Sequence, residues 1–440
     1  MKVTRRRFLG SAAATAAVAA GSGAFPAIVP ASARGADGAT APSERVSVGM
    51  IGVGNQGMFH TQALAARSDA QIVALCDPQR DQREAGRKHV EEVYAQRRNA
   101  GSFRGIVTTS DFRELLARPD VDAVFIATPE HWHALTAIAA ARAGKDIYLE
   151  KAMTVTIAEG QALARVVRRY GRILQVGTQQ RSQWQFRLAC ELVRNGCIGA
   201  LHTIVAGLPS GYPGPPVAEE PVPEGFDYDM WLGPAPWKPY SGDRVTNLKG
   251  WMLTYDYCVG FQAGWGSHHL DIAQWGNGTD HTGPVEVEGR GVFPEEGLND
   301  TPMTWHTEYK YANGVRLVFT TTNENPMGIR FEGADGWVFV NRETIDAHDK
   351  SLLKTRFAPG ALRLYRSDNH HDDFLDCVRT RKEPICPVEV GHRTTTLCNL
   401  SDISIRLGRK LRWDPDRERF INDDEATRLM ARATRAPWQP

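Results

Sequence analysis

The first clear apolar run of the chain, Val46 to Ile51, stops at Gly52, and four more follow: Gln71 to Cys76, Val121 to Ala127, Asp146 to Leu149 and Arg172 to Val176. Short runs that do not alternate with polar residues suit strands covered on both faces. Between them the spacing turns helical, over Met58 to Arg67, Ala134 to Ala143 and Ala158 to Tyr170. Strand and helix in alternation predict a parallel, doubly wound α/β sheet whose ligand lies beyond the carboxyl ends of its strands. Three polar loops fall at such ends: Thr128-Pro-Glu-His-Trp-His133, Glu150-Lys151-Ala152 and Gly177-Thr-Gln-Gln-Arg181.

From about Ala200 this rhythm stops, and a stretch rich in Pro, Gly and aromatic residues runs from Leu208 to Gly250. Loops of that length are usually functional or interaction surfaces. Its Trp231, Trp237 and Tyr240, with Trp251 just beyond, serve either as flat platforms for a sugar ring or as filling for a loop-rich core. Strand patterns resume over Val285 to Val292, Thr304 to Tyr311, Val315 to Thr321, Gly328 to Glu332 and Gly336 to Val340. Asn313-Gly314 favours a two-residue hairpin, and Gly333-Ala-Asp-Gly336 makes another turn. The second half therefore reads as an α/β domain on a mostly antiparallel sheet. Helical patterns over Asp372 to Arg379 and Thr394 to Leu407 close the chain and pack back on the fold. The boundaries expected are a first domain over 46–180 and a second over 181–440.

The first strand runs directly into Gly52-Val-Gly54-Asn-Gln-Gly57, followed by a helix, which is the context a dinucleotide fingerprint requires. Gly52 permits the tight turn, Gly54 lets the backbone approach a pyrophosphate, and Gly57 allows the helix to pack on the strand. The helix N-terminus then faces the phosphates. Asp77 ends the second strand twenty residues beyond Gly57, where an acid accepts the adenosine ribose hydroxyls. A carboxylate there repels a 2′-phosphate and favours NAD. NADP stays open as the alternative, because Arg80 and Arg83 are near in sequence.

Composition narrows the class further. A 440-residue chain with 42% apolar and 23% charged residues is an ordinary globular protein of more than one core. Its N-terminus, Thr4-Arg-Arg-Arg-Phe-Leu9, precedes a mildly apolar Ala-rich run and Ala31-Ser-Ala33, the order of a secretory signal. The paired arginines resemble the twin-arginine type, read by the export machinery that moves folded proteins. A leader over 1–33, a linker over 34–45 and a periplasmic or extracellular location are therefore expected, with no stable membrane anchor. Cleavage after Ala33 would leave 48 basic against 51 acidic residues, formally −3, which gives no electrostatic footprint for nucleic acid. The seven cysteines show no CxxC pair and read mostly as buried small hydrophobes, with Cys377 paired to Cys386 or Cys398 as a conceivable bridge. The pairs His131/His133, His268/His269 and His370/His371 lack metal-site spacing, so no metal is expected.

Taken together, the glycine motif, Thr128-Pro-Glu-His-Trp-His133, Gly144-Lys-Asp-Ile-Tyr-Leu-Glu-Lys151 and Trp265-Gly-Ser-His-His-Leu-Asp271 resemble the Gfo/Idh/MocA family of sugar and inositol oxidoreductases. The resemblance covers nearly all of the chain from Val46 onward. It implies a Rossmann domain followed by an α/β domain whose large open sheet meets the nicotinamide, and commonly a homo-oligomer. The family's Glu-Lys-Pro falls on Glu150-Lys151-Ala152, which makes Lys151 the first catalytic choice. With Ala152 in place of proline, Lys151 must be positioned by packing or hydrogen bonds. The family's D-x-x-x-H falls on Gly264 to His268: the histidine is present and the aspartate is not.

Asp271 and Asp256 are the candidates to replace that aspartate, Asp271 by orienting His268 from the same helix face. Cofactor contacts are then expected from Gly52, Gly54, Asn55, Gln56, Gly57, Asp77, Thr128, Pro129, His133, Glu150, Lys151 and Gln179. Gln180, Arg181, Tyr255, Asp256, Trp265 and His269 are expected to face a carbohydrate. The chemistry implied is hydride transfer from a secondary hydroxyl of a sugar, glycoside or cyclitol, with the cofactor tightly held and recycled. The alternatives are a redox-neutral glycosidase or epimerase, and a non-catalytic cofactor- or sugar-binding protein suggested by Ala152 and Gly264.

Overall fold

Six parallel strands carry the first half in the computed structural model, which describes residues 44–95, 105–246 and 250–438. The expected leader and nearly all of the linker lie outside these residues. Val46–Pro440 forms one compact unit. The strands are β1 (Val46–Ile51), β2 (Ala70–Cys76), β3 (Val107–Thr109), β4 (Ala123–Ile126), β5 (Asp146–Leu149) and β6 (Leu174–Val176), in the order β3-β2-β1-β4-β5-β6. Every residue of β4 and β5 is buried, which explains the apolar runs Ala123–Ile126 and Ile147–Leu149, because helices cover both faces. Among the described residues no helix is long and apolar enough to cross a membrane.

The second sheet has nine strands: β7 (Leu201–Leu208), β8 (Pro284–Val292), β9 (Thr304–Tyr311), β10 (Arg316–Thr321), β11 (Gly328–Gly333), β12 (Gly336–Val340), β13 (Ile345–Ala347), β14 (Leu411–Asp414) and β15 (Arg419–Phe420). Only β7 and β10 pair in parallel; the other pairings are antiparallel. β7, an interior strand between β11 and β10, was not expected from the sequence. The Asn313-Gly314 turn is longer than the two-residue hairpin expected. Tyr311 and Val315 close it, leaving Ala312 to Gly314 in the loop, with Gly314 at φ +86°. Gly333 and Gly336 pair directly, so the second turn is the tight one.

The closing segment does pack back. Phe374 and Leu375, on the helix His370–Thr380, are fully buried in one cluster with Val48 and Met50 of β1. The helix Val388–Leu407 lies between the two halves: Val388 joins the core of the first sheet, and Leu397 and Leu400 that of the second. All seven cysteines are free thiols, so the bridge considered for Cys377 does not form. Most are buried among apolar neighbours.

A buried ion pair fastens the same junction. Arg181, in the turn Gln179–Ser182 after β6, donates from Nε to Asp271 at 2.6 Å, and a terminal nitrogen meets Asp280 at 2.6 Å. The guanidinium also lies over the Trp275 ring at 5.0 Å. Burial alone would favour the neutral base, but the two carboxylates outweigh it and hold Arg181 charged. Removing one partner of such a pair strands the other charge. Asp271→Ala should therefore lower unfolding stability by about 3 kcal/mol in a denaturant titration. A loss under about 1 kcal/mol would mean that the pair does not hold the halves together.

Candidate active site

A cavity of about 670 Å³ opens at the carboxyl ends of β1, β2, β4 and β5. Its first wall is the glycine turn. A Cβ on Gly57 would lie 2.0 Å from the Gly52 carbonyl oxygen, so the helix Asn55–Ala65 can start on the turn only with glycine there. Gly54, by contrast, has nothing within 4 Å of its Cβ position and leaves room for a ligand against the backbone. The helix has no side-chain cap, so its first N–H groups remain available to an anion.

Asp77 also lines the cavity. Its carboxylate accepts from Val53 N at 2.8 Å and Gln79 N at 2.9 Å, and an ionised carboxylate keeps lone pairs for ribose hydroxyls. Arg83 donates to the Asp77 carbonyl and Arg80 pairs with Glu224, and neither reaches the cavity wall. The turn and its acid thus fit NAD rather than a 2′-phosphorylated nucleotide.

Glu150, one residue past β5, organises the second wall. Its Oε1 accepts from Gln56 Nε2 at 3.0 Å, Gln179 Nε2 at 2.8 Å and His60 Nε2 at 2.9 Å, and Oε2 accepts from Lys151 N at 3.2 Å. Burial would raise the carboxyl's pKa, but the His60 hydrogen bond and the Lys151 charge reverse this and hold it well below the usual range. Gly177 permits this packing, since a Cβ there would sit 2.8 Å from the carboxylate. His60 passes the link outward through Nδ1 to His371 Nε2 at 2.7 Å.

Lys151 lines the cavity, and among the described residues its ammonium has no hydrogen-bond or ion-pair partner. Its peptide bond to Ala152 is cis. His133, expected at the cofactor, instead clamps this backbone: Nδ1 meets the Ala152 carbonyl at 2.6 Å and Nε2 the Thr128 carbonyl at 2.9 Å. That clamp answers the absent proline. Thr128 and Pro129 line the cavity with Gln179 and Gln180.

His268 faces the same cavity from the helix Gly266–Asn277. Burial, then the charges of Lys151 and Arg342, push its pKa well below the usual imidazole value, so the ring is neutral. Its Nδ1 is buried without a hydrogen-bond partner among the described residues. Asp271 does not orient it. The oxygens of Asp271 are taken by Arg181 and by Thr394 Oγ1 at 3.1 Å. At position 264 a Cβ would lie 2.7 Å from the Met252 sulfur, so an aspartate there would require the Met252 side chain to move.

Several residues expected to meet substrate are engaged elsewhere. Arg181 is buried in its ion pairs, and His269 Nδ1 pairs with the Gly207 carbonyl at 3.2 Å. Tyr255 is sandwiched between the guanidinium groups of Arg406 and Arg432, 3.6 and 3.5 Å from its ring centre. Asp256 pairs with Lys238 at 3.0 Å. Trp265 backs the site, edge-on to His268 and beneath the Arg342 guanidinium at 4.8 Å. Of the aromatic residues in the long loop region, Trp231 and Trp251 line the cavity, Tyr240 packs against Phe226 and Tyr228, and Trp237 is 64% exposed. Among the described residues no group of three or more His, Cys, Asp or Glu side chains is arranged to hold a metal.

Arg342 and Glu130 add to the site without having been singled out. Arg342 sits in an Asn341-capped turn between β12 and β13, with no local pattern to mark it. Glu130 stands in the Thr128 to His133 loop, 1% exposed, near the Ala152 N–H and the Cys258 thiol. Neither of its oxygens makes a hydrogen bond among the described residues. Burial pushes its pKa up to about 7, and the nearby Lys151 charge only partly opposes this. An acid raised in this way is protonated in the fold and ionised when unfolded between its ordinary value and about pH 7, so stability falls as pH rises through that window. Glu130→Gln removes the effect. The variant should gain up to about 3 kcal/mol relative to the parent between pH 4.5 and 7 in denaturant titrations. Parallel losses in both proteins would assign the titration to another group.

Residues 46–178 match the Gfo/Idh/MocA oxidoreductase family's NAD-binding Rossmann fold, and residues 214–440 its C-terminal alpha/beta domain. The chain is 30% identical over 171 residues to a myo-inositol 2-dehydrogenase of Thermotoga maritima, covering 38% of this chain and 46% of that protein. It is 34% identical over 133 residues to an alpha-N-acetylgalactosaminidase of Shewanella oneidensis, covering 30% and 28% respectively. The match thus spans less than half the length of each of these relatives. An aldose-aldose oxidoreductase structure from Caulobacter crescentus shares the fold, with a TM-score of 0.58 at 20% identity over 84% of this chain and 99% of that one. With both domains matched in order around one nucleotide cavity, the chain belongs to the Gfo/Idh/MocA family of NAD-binding oxidoreductases.

Proposed function

We propose that this enzyme oxidises a secondary hydroxyl of a carbohydrate. The observation that carries the reading is an unpaired ammonium, Lys151, beside a neutral buried imidazole, His268, in the cavity that holds the nucleotide fingerprint. When bound, NAD supplies the hydride acceptor. His268 has a lone pair for the hydroxyl proton, and Lys151 Nζ stabilises the negative charge that develops on the same oxygen. Similarity to a myo-inositol dehydrogenase supports a polyhydroxylated substrate. Trp231 and Trp251 offer apolar faces to its C–H groups.

Similarity to an alpha-N-acetylgalactosaminidase supports a second, redox-neutral reading. There the hydroxyl is oxidised transiently, the neighbouring C–H loses its proton, elimination or epimerisation follows, and the carbonyl is reduced back. The twin-arginine-type leader favours internal recycling in either case, because a folded enzyme exported with its nucleotide meets no general nicotinamide pool.

Purified protein with its nucleotide, challenged with sugars and glycosides, separates the readings: reduced nucleotide accumulates in the first, and glycoside is cleaved or epimerised without accumulation in the second. Lys151→Met should lower turnover at least about 100-fold while the nucleotide stays bound. Undiminished turnover would remove Lys151 from the mechanism. For the location, replacing Arg5 and Arg6 with lysine should retain the protein in the cytoplasm on cell fractionation. Unchanged release would show that the leader is not read as a twin-arginine signal.

A further inference from the structure

Two cations meet at the His268 end of the cavity without a carboxylate to pair them. Lys151 and Arg342 both line the wall, and neither lies within ion-pair distance of an Asp or Glu among the described residues. Trp265 packs against both Arg342 and His268, which places Arg342 at the reacting end and not at the glycine turn. The carboxylates lining the cavity are Asp77 and Glu150. Asp77 lies at the ribose position, and Glu150 already accepts from four donors. Glu130 is buried and does not reach the wall.

Arg342 is nevertheless held in place. Its guanidinium lies over Trp265, and Gln180 ties it to the catalytic helix. In the orientation that satisfies the Gln180 amide, its oxygen accepts from Arg342 Nε at 3.3 Å and its nitrogen donates to the His268 carbonyl at 2.9 Å. With Nε used by Gln180, the terminal nitrogens of the fork remain for a planar, two-oxygen acceptor. A braced, half-used guanidinium beside a second unpaired cation is an anion receptor.

We propose that the carbohydrate accepted here is acidic, a sugar bearing a carboxylate such as a uronic acid, with Arg342 and Lys151 receiving the charge beside His268. The inference rests on the carbohydrate reading above and adds the substrate class. It accounts for a tension in that reading: Lys151 and Arg342 both oppose a positive charge on His268 and Glu150 only partly offsets them, so a bound carboxylate would supply the rest when the imidazole takes up the hydroxyl proton.

Titration calorimetry on the nucleotide-loaded protein tests this without requiring turnover, using glucuronate against glucose and galacturonate against galactose. At least one acid should bind about tenfold or more tightly than its neutral counterpart, an advantage that shrinks as salt rises. Arg342→Gln should cost the acid about tenfold more than the neutral sugar, and Arg342→Lys should restore part of the difference. Equal affinity for acid and neutral sugar, no binding of either acid, or equal loss for both sugars in Arg342→Gln would overturn the proposal. So would loss of the nucleotide in that variant, which would assign Arg342 to the cofactor. Preferential acid binding with no reduction of the nucleotide and no change in the sugar would instead sink the oxidoreductase reading and leave the acidic-ligand site standing.

Discussion

The site depends on one buried carboxylate. Glu150 draws donors from the helix after the glycine turn, from the turn after β6 and from its own strand end, so the elements that surround the nucleotide are referred to a single oxygen pair. Such a charge survives burial only while its acceptor sites are filled. Each donor side chain is therefore constrained by the same requirement. Gln56 and Gln179 reach the cavity wall already oriented, and Lys151 follows directly in the chain with its own N–H fixed on the carboxylate.

A second constraint acts on the other side of the cavity. The helix Gly266–Asn277 has to present His268 to the first domain while being packed on nearly all its faces. Arg181 makes this hold by reaching from the turn after β6 to Asp271 and Asp280. Three residues along a helix turn a side chain through about 300°, so Asp271 points some 60° away from His268. That offset separates the duties: one residue is tied into the junction and the other faces the cavity.

This is also where sequence reasoning reached its limit. The glycine turn and Asp77 were legible because their geometry is largely local: Gly57 meets the Gly52 carbonyl within the same βαβ unit, Gly54 leaves its space open, and the acid ends the adjacent strand. The loops at the ends of β4, β5 and β6 were legible from strand periodicity alone. Side-chain partners brought together by tertiary packing were not. Arg181 looks like a substrate ligand from its place in a polar loop, and Tyr255 and Asp256 from their place in an aromatic stretch, until their partners 90, 151 and 18 residues away are seen. Arg342 left no trace because its turn is set by Asn341, and β7 was hidden by the Pro-rich stretch that follows it.

The missing aspartate at position 264 now has a physical setting. The Met252 side chain occupies the space beside Gly264, so an apolar neighbour and not a relocated acid stands there. His268 loses a partner that would fix its tautomer and stabilise its charged form. What remains are the Glu150 carboxylate, which favours that charge, and two cations and the burial that outweigh it. A negative group arriving with the substrate adds to Glu150 and offsets the two cations, which couples proton uptake to recognition. The same loss that weakens the imidazole as an isolated base therefore makes its strength depend on what is bound beside it.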